Sequence, residues 1–169
     1  MKAVRVCGIC LIGFLTTGTV IAWSTVVLAF SRFYRAEGTL LKVTNCRFPN
    51  PITTPCFYGA IAFVLALLWA ASLASGAKPR VHGYEGLWWL LLASTIFGWS
   101  NVAYEFWRWG QSPTGFIVSC TTESISSPFQ SPCLYGSTMF LGAWLSVDLI
   151  ARARRRPQGP FTATESGRL

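Results

Sequence analysis

The sequence predicts an all-α membrane protein: four transmembrane helices from a duplicated two-helix hairpin, with two disulfide-closed extracytoplasmic loops. Composition is the first reason. Of the 169 residues, 52% are hydrophobic and only 12% are charged, whereas soluble domains carry about 25% charged residues. Mean hydropathy is +0.44. The second reason is that four apolar runs of 18–25 residues alternate with polar segments, and about 20 apolar residues suffice to cross a bilayer.

The third reason is an internal repeat. The first copy contains Trp23-Ser24-x-Val26-x-x-x-Phe30-x-Arg32, then Cys46, then Pro55-Cys56-Phe57-Tyr58-Gly59. The second contains Trp99-Ser100-x-Val102-x-x-x-Phe106-x-Arg108, then Cys120, then Pro132-Cys133-Leu134-Tyr135-Gly136. The offset is 76 residues at the Trp, 74 at the first Cys and 77 at the second. Each copy holds two crossings, so both copies share one orientation, and we expect a parallel repeat about a pseudo-twofold axis along the membrane normal.

The first repeat covers residues 1–76. Val6 to Phe30 is a 25-residue run without charge, which is longer than the apolar region of a signal peptide and predicts a retained transmembrane helix at about 6–30. An outer loop at 31–55 follows, in which prolines at 49, 51 and 55 disfavour helix. The second transmembrane helix is predicted at about 56–75.

A hydrophilic cytoplasmic link, 77–85, leads to the second repeat at 86–151. This repeat is predicted to contain a third transmembrane helix at about 86–107, an outer loop at 108–132 and a fourth transmembrane helix at about 133–150. The tail, 152–169, is basic at first, then polar without periodicity, and we expect it to be disordered.

Charge predicts the orientation. With both termini and the link in the cytoplasm, that side carries nine Lys and Arg residues and the other side five, which follows the positive-inside rule. The densest cluster, expected to bind anionic headgroups, is Arg152, Arg154, Arg155 and Arg156. The basic residues stand at the ends of apolar runs, which favours a role in topology over nucleic-acid binding. The cysteine loops are then extracytoplasmic, where disulfides persist.

Four cysteines lie in or beside the outer loops. The repeat favours pairing within each loop, Cys46 with Cys56 and Cys120 with Cys133, although four cysteines allow three connectivities. Closing such a loop stabilises the fold by about 2–3 kcal/mol. Structural disulfides and redox-active cysteines both remain open. Cys7 and Cys10 head the first apolar run and are expected to pack between helices, with lipidation or redox chemistry as the alternatives.

In helix count and cysteine count, the chain resembles membrane thiol oxidases of the DsbB and vitamin K epoxide reductase type. The resemblance implies two extracytoplasmic cysteine pairs and a quinone as the cofactor. Those enzymes depend on a close C-x-x-C pair near a helix end. The outer segments here contain no such pair, so a quinone is expected only if the outer cysteines are redox-active.

A polar stripe marks the third helix. Spacings of 4, 3, 4 and 3 place its members on one helical face: Ser94, Gly98, Asn101, Glu105 and Arg108. Their counterparts in the first copy are Gly18, Ala22, Thr25, Ala29 and Arg32. Asn101 and Glu105 are therefore specific to the second copy. Glu105 is expected either to pair with Arg108 or Arg32, or to serve a proton, ion or ligand.

The repeated charges and tryptophans complete the candidate sites. Arg32 and Arg108 stand where a helix leaves the bilayer, and either reach headgroup phosphates or converge on an anionic group. The Trp of each copy is expected to be buried. A face for partner or self-association is predicted at Ser94, Gly98, Trp107 and Trp109.

These features favour a small, non-enzymatic accessory or structural subunit of a larger membrane assembly. The sequence offers no phosphate-binding Gly loop, nucleophile–base set, carboxylate pair or metal-ligand cluster. One alternative is an enzyme, a quinone-linked thiol–disulfide oxidoreductase that uses the outer cysteines. Another is a small carrier or channel that uses Glu105 and Asn101.

Overall fold

The computed structural model describes residues 2–39, 50–75, 81–113, 115–118 and 124–155. It contains four long α-helices: α1 (Lys2–Glu37), α2 (Pro55–Ala74), α3 (Val81–Gln111) and α4 (Pro132–Arg155). Between α3 and α4, the short strands β1 (Ile117–Val118) and β2 (Ser124–Ile125) pair antiparallel. The prediction of an all-α protein with four helices is confirmed.

Helix α1 is longer than the sequence predicted. The outer loop was expected from residue 31, but the helix continues to Glu37. It ends at Gly38, whose φ of +68° is the left-handed conformation common after a helix C-terminus. The Gly38 N–H donates to the Tyr34 carbonyl at 2.8 Å. Charge was a poor boundary signal, because a helix continues until a residue such as Gly or Pro disrupts its backbone geometry.

The predicted boundaries of α3 and α4 differ from the observed ones for the same reason. Helix α3 begins at Val81, inside the predicted link, and runs to Gln111, inside the predicted second outer loop. Helix α4 continues to Arg155, so the first part of the predicted tail is helical. Ala and Arg are good helix formers, and Arg152 pairs with Asp148 at 2.7 Å one turn earlier. The disorder predicted for the rest of the tail concerns residues 156–169, which lie outside the described residues.

The four helices pack as a bundle. Helix α1 packs broadly against α2 and α4, whereas α3 packs broadly against α4 and more narrowly against α2. Phe63 of α2 and Phe140 of α4 stack at the centre, with ring centroids 3.7 Å apart and planes within 10°. Around them lies a core of small and branched residues: Leu11, Leu15, Ala66, Ala70, Leu87, Leu91, Ala143, Val147 and Ile150.

Equivalent positions of the two copies are buried in the structure. In α2 the buried residues are Ala60, Phe63, Ala66 and Ala70. Those found 77 positions later in α4, Ser137, Phe140, Ala143 and Val147, are buried as well. In α1 and α3 the equivalent buried pairs, 76 positions apart, are Leu11 with Leu87, Leu15 with Leu91, and Val26 with Val102. The sequence repeat therefore corresponds to a repeat in packing.

The segments that lead into α2 and α4 also match. Each contains a one-turn 3₁₀ helix, Pro51–Thr53 in the first copy and Pro128–Gln130 in the second. The Asn50 side chain caps the first by accepting from the Ile52 N–H at 3.0 Å, and the Ser127 hydroxyl caps the second. The sequence carries a signal for these matching capped turns, since both copies read Asn/Ser-Pro-x-x-Thr/Ser-Pro-Cys.

Among the described residues, three helical segments are long and apolar enough to cross a membrane: Arg5–Glu37, Pro55–Ala74 and Pro132–Ala153. A membrane protein is therefore supported. Helix α3, predicted as a further span, is not among the three. Its uncharged stretch, 86–104, includes Trp, Ser and Asn residues that lower its hydropathy.

Candidate functional site

The second cysteines of the two copies meet at one end of the bundle. Cys56 and Cys133 are each the second residue of their helix, following the proline that begins it. Their Sγ atoms are 3.5 Å apart, whereas a disulfide bond measures about 2.05 Å. The two sulfurs are therefore in contact without being bonded to each other. This contact also shows that α2 and α4 start at the same end.

The predicted pairs, Cys46–Cys56 and Cys120–Cys133, stay predictions. Cys46 and Cys120 lie outside the described residues, and no two described cysteines are at disulfide distance. At the opposite end of the bundle, Cys7 and Cys10 are free thiols. Cys7 packs against the core, whereas Cys10 is exposed.

A cavity of about 470 Å³ adjoins Cys56 and Cys133, whose sulfurs are in contact. All four helices contribute to its walls, and most of the wall is apolar. The side chains of Tyr58 and Phe97, which are 55% and 46% exposed, also line it. The cavity therefore reaches the surface of the bundle between α2 and α3, where packing is narrowest. Its volume lies within the range of about 300–1,000 Å³ that is typical of small-molecule sites.

Few polar side chains line the cavity, and most of their donors are satisfied locally. Thr25 Oγ1 donates to the Ile21 carbonyl at 2.8 Å, and Ser137 Oγ donates to the Cys133 carbonyl at 2.7 Å. Asn101 Nδ2 donates to the Phe97 carbonyl at 2.8 Å. Within the described part of the chain, no donor reaches Asn101 Oδ1. The site is thus an apolar space in which the Asn101 amide oxygen and the Ser94 hydroxyl can bond to a ligand.

The cavity lies between the two copies, because equivalent residues line it from both sides. The equivalent pairs are Ile21 with Phe97, Ala22 with Gly98, Thr25 with Asn101, Pro55 with Pro132, Cys56 with Cys133, Gly59 with Gly136, and Phe63 with Phe140. Five lining residues, Tyr58, Ala62, Ala93, Ser94 and Ser137, have a counterpart that does not line the cavity, and for Ser94 the structure shows the reason. Ser94 lines the cavity, but its counterpart Gly18 is covered by the Phe63 ring, whose Cζ would lie 2.6 Å from an added Cβ. Phe63 therefore fills, on the α1 side, space that is open beside Ser94.

The polar stripe of α3 is divided between the cavity and the loop end of the bundle, which is the end where α2 and α4 begin. Ser94, Gly98 and Asn101 line the cavity. Glu105, one turn further along the helix, is buried with 6% exposure and is not among the cavity residues. Arg108 is exposed, with its guanidinium carbon 5.9 Å from the Tyr104 ring centroid.

The predicted association face is not one surface. Gly98 lies against Ser137 of α4, whose Cβ would be 3.2 Å from a Cβ added at Gly98, so it serves packing within the bundle. Trp109 donates its indole N–H to the Gly115 and Ser126 carbonyls at 3.2 and 3.1 Å, and thereby braces the second loop. Trp107 is the most open of the four, 58% exposed and stacked on Tyr104, and Trp109 is 39% exposed. Spacing placed these residues on α3, but it could not show which neighbour covers them.

The expected burial of the repeated tryptophans is wrong. Trp23 and Trp99 are 37% and 38% exposed, nearly equal in the two copies. The buried members of the motif are Val26 and Val102, at 3% and 2%. The valine three residues later faces the core, and the tryptophan lies at the edge of the same helical face, where it is partly exposed. Arg32, like Arg108, is exposed.

Fold and site together define an all-helical protein of the membrane class, with three helices suited to crossing a bilayer and an apolar cavity between two repeated hairpins. No family model, curated protein or solved structure matches this chain. The cavity and the cysteines that adjoin it are therefore the features that bear on its function.

Proposed function

We propose that the chain is a four-crossing membrane protein that holds an apolar, lipid-like molecule between its two repeats. In this proposal it is a non-enzymatic accessory subunit of a larger membrane assembly. The observation that carries the proposal is the cavity of about 470 Å³, which is lined by all four helices and reaches the bundle surface at Tyr58 and Phe97.

The fourth crossing is α3. Its 31 residues span about 46 Å at 1.5 Å per residue, which exceeds the hydrocarbon core of about 30 Å. It runs antiparallel to the two crossing helices beside it. Near its start, Gly83 lies against Leu73 of α2. Near its end, Phe106 contacts Phe129, just before α4, with centroids 5.3 Å apart. A helix packed along its length between two spans lies at the same depth in the bilayer.

Four crossings make the two copies parallel and place both cysteine loops on one side of the membrane. The distribution of Lys and Arg, nine against five, favours an orientation with those loops outside and both termini inside. The outer location supports the two within-loop disulfides, Cys46–Cys56 and Cys120–Cys133. The equivalent buried positions of α2 and α4 support a pseudo-twofold axis that passes between Phe63 and Phe140.

The chemistry of the cavity indicates the class of ligand. An acyl or isoprenoid chain fits apolar walls that open toward lipid, and the sulfurs of Cys56 and Cys133 add soft, apolar contacts. A hydroxyl or amide at one end of the ligand could donate to Asn101 Oδ1. A charged headgroup in the cavity is disfavoured, because none of the residues that line it is charged.

Gly59→Leu is expected to remove the ligand while preserving the fold. Gly59 lines the cavity, and no atom lies within 4 Å of a Cβ added there, so a leucine would occupy ligand space without a backbone clash. Native mass spectrometry of the protein extracted in mild detergent should show a bound lipid-like adduct in the parent. We expect its occupancy to fall at least about tenfold in Gly59→Leu, since each 1.4 kcal/mol of lost affinity is a factor of ten.

Gly13→Leu is the matched control. Gly13 also has open space around an added Cβ and lies on α1 away from the cavity. It should therefore keep the adduct. A parent protein without any adduct, or equal occupancy in both variants, would contradict the ligand proposal.

The accessory role is supported by exposed aromatic residues near the end of the bundle where α2 and α4 begin, including Trp107 and Phe129. Tryptophan and tyrosine are enriched at interfaces between proteins. Chemical cross-linking in native membranes, followed by purification, should yield the chain joined to one or more other membrane proteins. Recovery of the chain only as a monomer would overturn this role.

A second candidate function is favoured by the contact between Cys56 and Cys133. A quinone is an apolar two-electron acceptor, and the cavity would place it beside both sulfurs. In that case the protein is a thiol–disulfide oxidoreductase. Trapping of free thiols in intact cells should then find the outer cysteines partly reduced, and the native adduct should have the mass of a quinone. Fully oxidised cysteines after a reductive challenge would exclude it.

A carrier or channel path is less consistent with the site. Asn101 lines the cavity, whereas Glu105 does not. A path using both side chains would have to continue beyond the cavity toward the loop end.

A further inference from the structure

Two polar side chains of α3 face the cavity with hydrogen-bonding capacity to spare. Asn101 Nδ2 donates to the Phe97 carbonyl at 2.8 Å, which leaves Oδ1 as an acceptor. Ser94 also lines the cavity, and within the described part of the chain its hydroxyl makes no hydrogen bond. The neighbouring Thr95 differs, because its Oγ1 donates to the Leu91 carbonyl at 2.7 Å. The α3 wall therefore offers a ligand one acceptor at Asn101 and one donor at Ser94.

The other donor side chains around the cavity are engaged or lie at its mouth. Thr25 and Ser137 donate to carbonyls of their own helices. Tyr58 lines the opening and is 55% exposed. A ligand acceptor inside the cavity therefore meets the Ser94 hydroxyl as its available partner. An unpaired hydroxyl in an apolar space is unfavourable, so a ligand that carries a matching acceptor is favoured.

The spacing of the two groups limits the shape of the ligand. Ser94 and Asn101 are seven residues apart, which is about 10 Å along the helix axis and nearly two full turns, so they share one face. Each hydrogen bond takes up about 2.8 Å. The donor and the acceptor of the ligand must therefore lie roughly 5–10 Å apart.

The first copy lacks this pair of groups. Gly18, the counterpart of Ser94, has no side chain and is covered by the Phe63 ring. Thr25, the counterpart of Asn101, donates to the Ile21 carbonyl at 2.8 Å. The polar end of a ligand is therefore bound by the second copy, against α3.

We propose that the cavity binds an uncharged acyl lipid of the monoacylglycerol type. A hydroxyl of the glyceryl head donates to Asn101 Oδ1, and the ester carbonyl accepts from the Ser94 hydroxyl. This deepens the proposed function and rests on it. The glycerol carbons separate the two groups by a distance near the short end of the required range. The head carries no charge, as do the residues that line the cavity. The acyl chain lies along the apolar walls and extends into the bilayer at the opening beside Tyr58 and Phe97.

Three probes with the same oleyl chain separate the two contacts. 1-Monooleoylglycerol carries both the hydroxyls and the carbonyl. Methyl oleate keeps the carbonyl and has no donor, whereas 1-O-oleylglycerol keeps the hydroxyls and has an ether in place of the ester. Native mass spectrometry of the full-length protein in mild detergent, first depleted of bound lipid, measures the affinity for each probe. The parent protein should bind 1-monooleoylglycerol about tenfold more tightly than either of the other two.

Two variants should show opposite selectivity. Ser94→Ala removes the donor and should weaken 1-monooleoylglycerol and methyl oleate by about tenfold, with 1-O-oleylglycerol unchanged. Asn101→Leu removes the acceptor at similar volume and should weaken 1-monooleoylglycerol and 1-O-oleylglycerol, with methyl oleate unchanged. Ser100→Ala is the matched control, because Ser100 donates to the Ile96 carbonyl and is not among the cavity residues. It should keep the selectivity of the parent.

The contrary outcomes separate the two proposals. A parent protein that binds none of the probes and carries no native adduct would contradict the apolar binding site itself. A parent that binds all three probes equally would keep the binding site and overturn the two-point recognition. Equal losses for all three probes in either variant would also overturn it, because a changed cavity shape acts on every oleyl chain alike. The preference of the parent decides the matter even if one of the variants does not fold.

Discussion

Phe63→Ala is expected to lower the free energy of unfolding by about 2–3 kcal/mol. In a bilayer the unfolded helix also buries this side chain in lipid, so the loss comes mainly from packing. Removing roughly 100 Å³ at about 24 cal/mol per Å³ of cavity gives that range. Phe63 is 1% exposed and stacks on Phe140 with ring centroids 3.7 Å apart. The pair therefore supports both repeats at once.

Unfolding in mixed micelles of increasing denaturing-detergent content measures this loss. Phe116→Ala is the control, because Phe116 is 60% exposed and its loss leaves no buried space. Phe140→Ala should resemble Phe63→Ala. The double variant should cost less than the two single losses together, by about 1 kcal/mol, because the stacked pair is already broken by either change. Strict additivity would show that the two rings do not support each other.

Gly18→Ala is expected to destabilise the protein by about 1–3 kcal/mol, the usual cost of overpacking. The added Cβ would lie 2.6 Å from Cζ of Phe63, and any movement of that ring away from it would disturb its stacking on Phe140. Alanine is otherwise the better helix former by about 1 kcal/mol. Whether Gly18→Ala lowers or raises the free energy of unfolding therefore distinguishes a packing constraint from an effect of helix propensity.

Gly13→Ala supplies the comparison in the same helix. Nothing lies within 4 Å of a Cβ added at Gly13, so this variant should be as stable as the parent or slightly more stable. The same detergent titration measures both variants. Shortening the opposing ring with Phe63→Leu should recover part of the loss in the Gly18→Ala background. Equal stability of the two alanine variants would show that Phe63 does not hold α1 in place.

The sequence was sufficient for the helices and their order, because apolar runs and prolines are local signals. Helix ends were predicted less well. Charged residues suggest helix boundaries, but α1 continues to Glu37 and stops only at Gly38. The equivalence of the two copies could also be read from the chain, and it extends further than the first motif suggested, into the capped turns at Asn50 and Ser127.

The cavity could not be predicted, because it depends on distances between helices. Gly18 and Ser94 are equivalent in the alignment of the copies, yet one is covered by Phe63 and the other lines open space. A repeat indicates that Cys56 and Cys133 are related, but only packing brings their sulfurs to 3.5 Å. The prediction that Trp23 and Trp99 are buried is wrong, since an apolar residue in a membrane helix can face lipid as readily as the core.

The position of the C-terminus tests the central claim, a parallel pair of hairpins that makes four crossings, most directly. A reporter that is active only in the cytoplasm and a phosphatase that is active only outside can each be fused after Leu169 and, separately, within the 76–80 segment between the copies. Four crossings predict cytoplasmic reporter activity at both positions. If α3 did not cross, three helices would remain and the C-terminus would lie outside. Phosphatase activity at Leu169 with cytoplasmic activity between the copies would contradict the account.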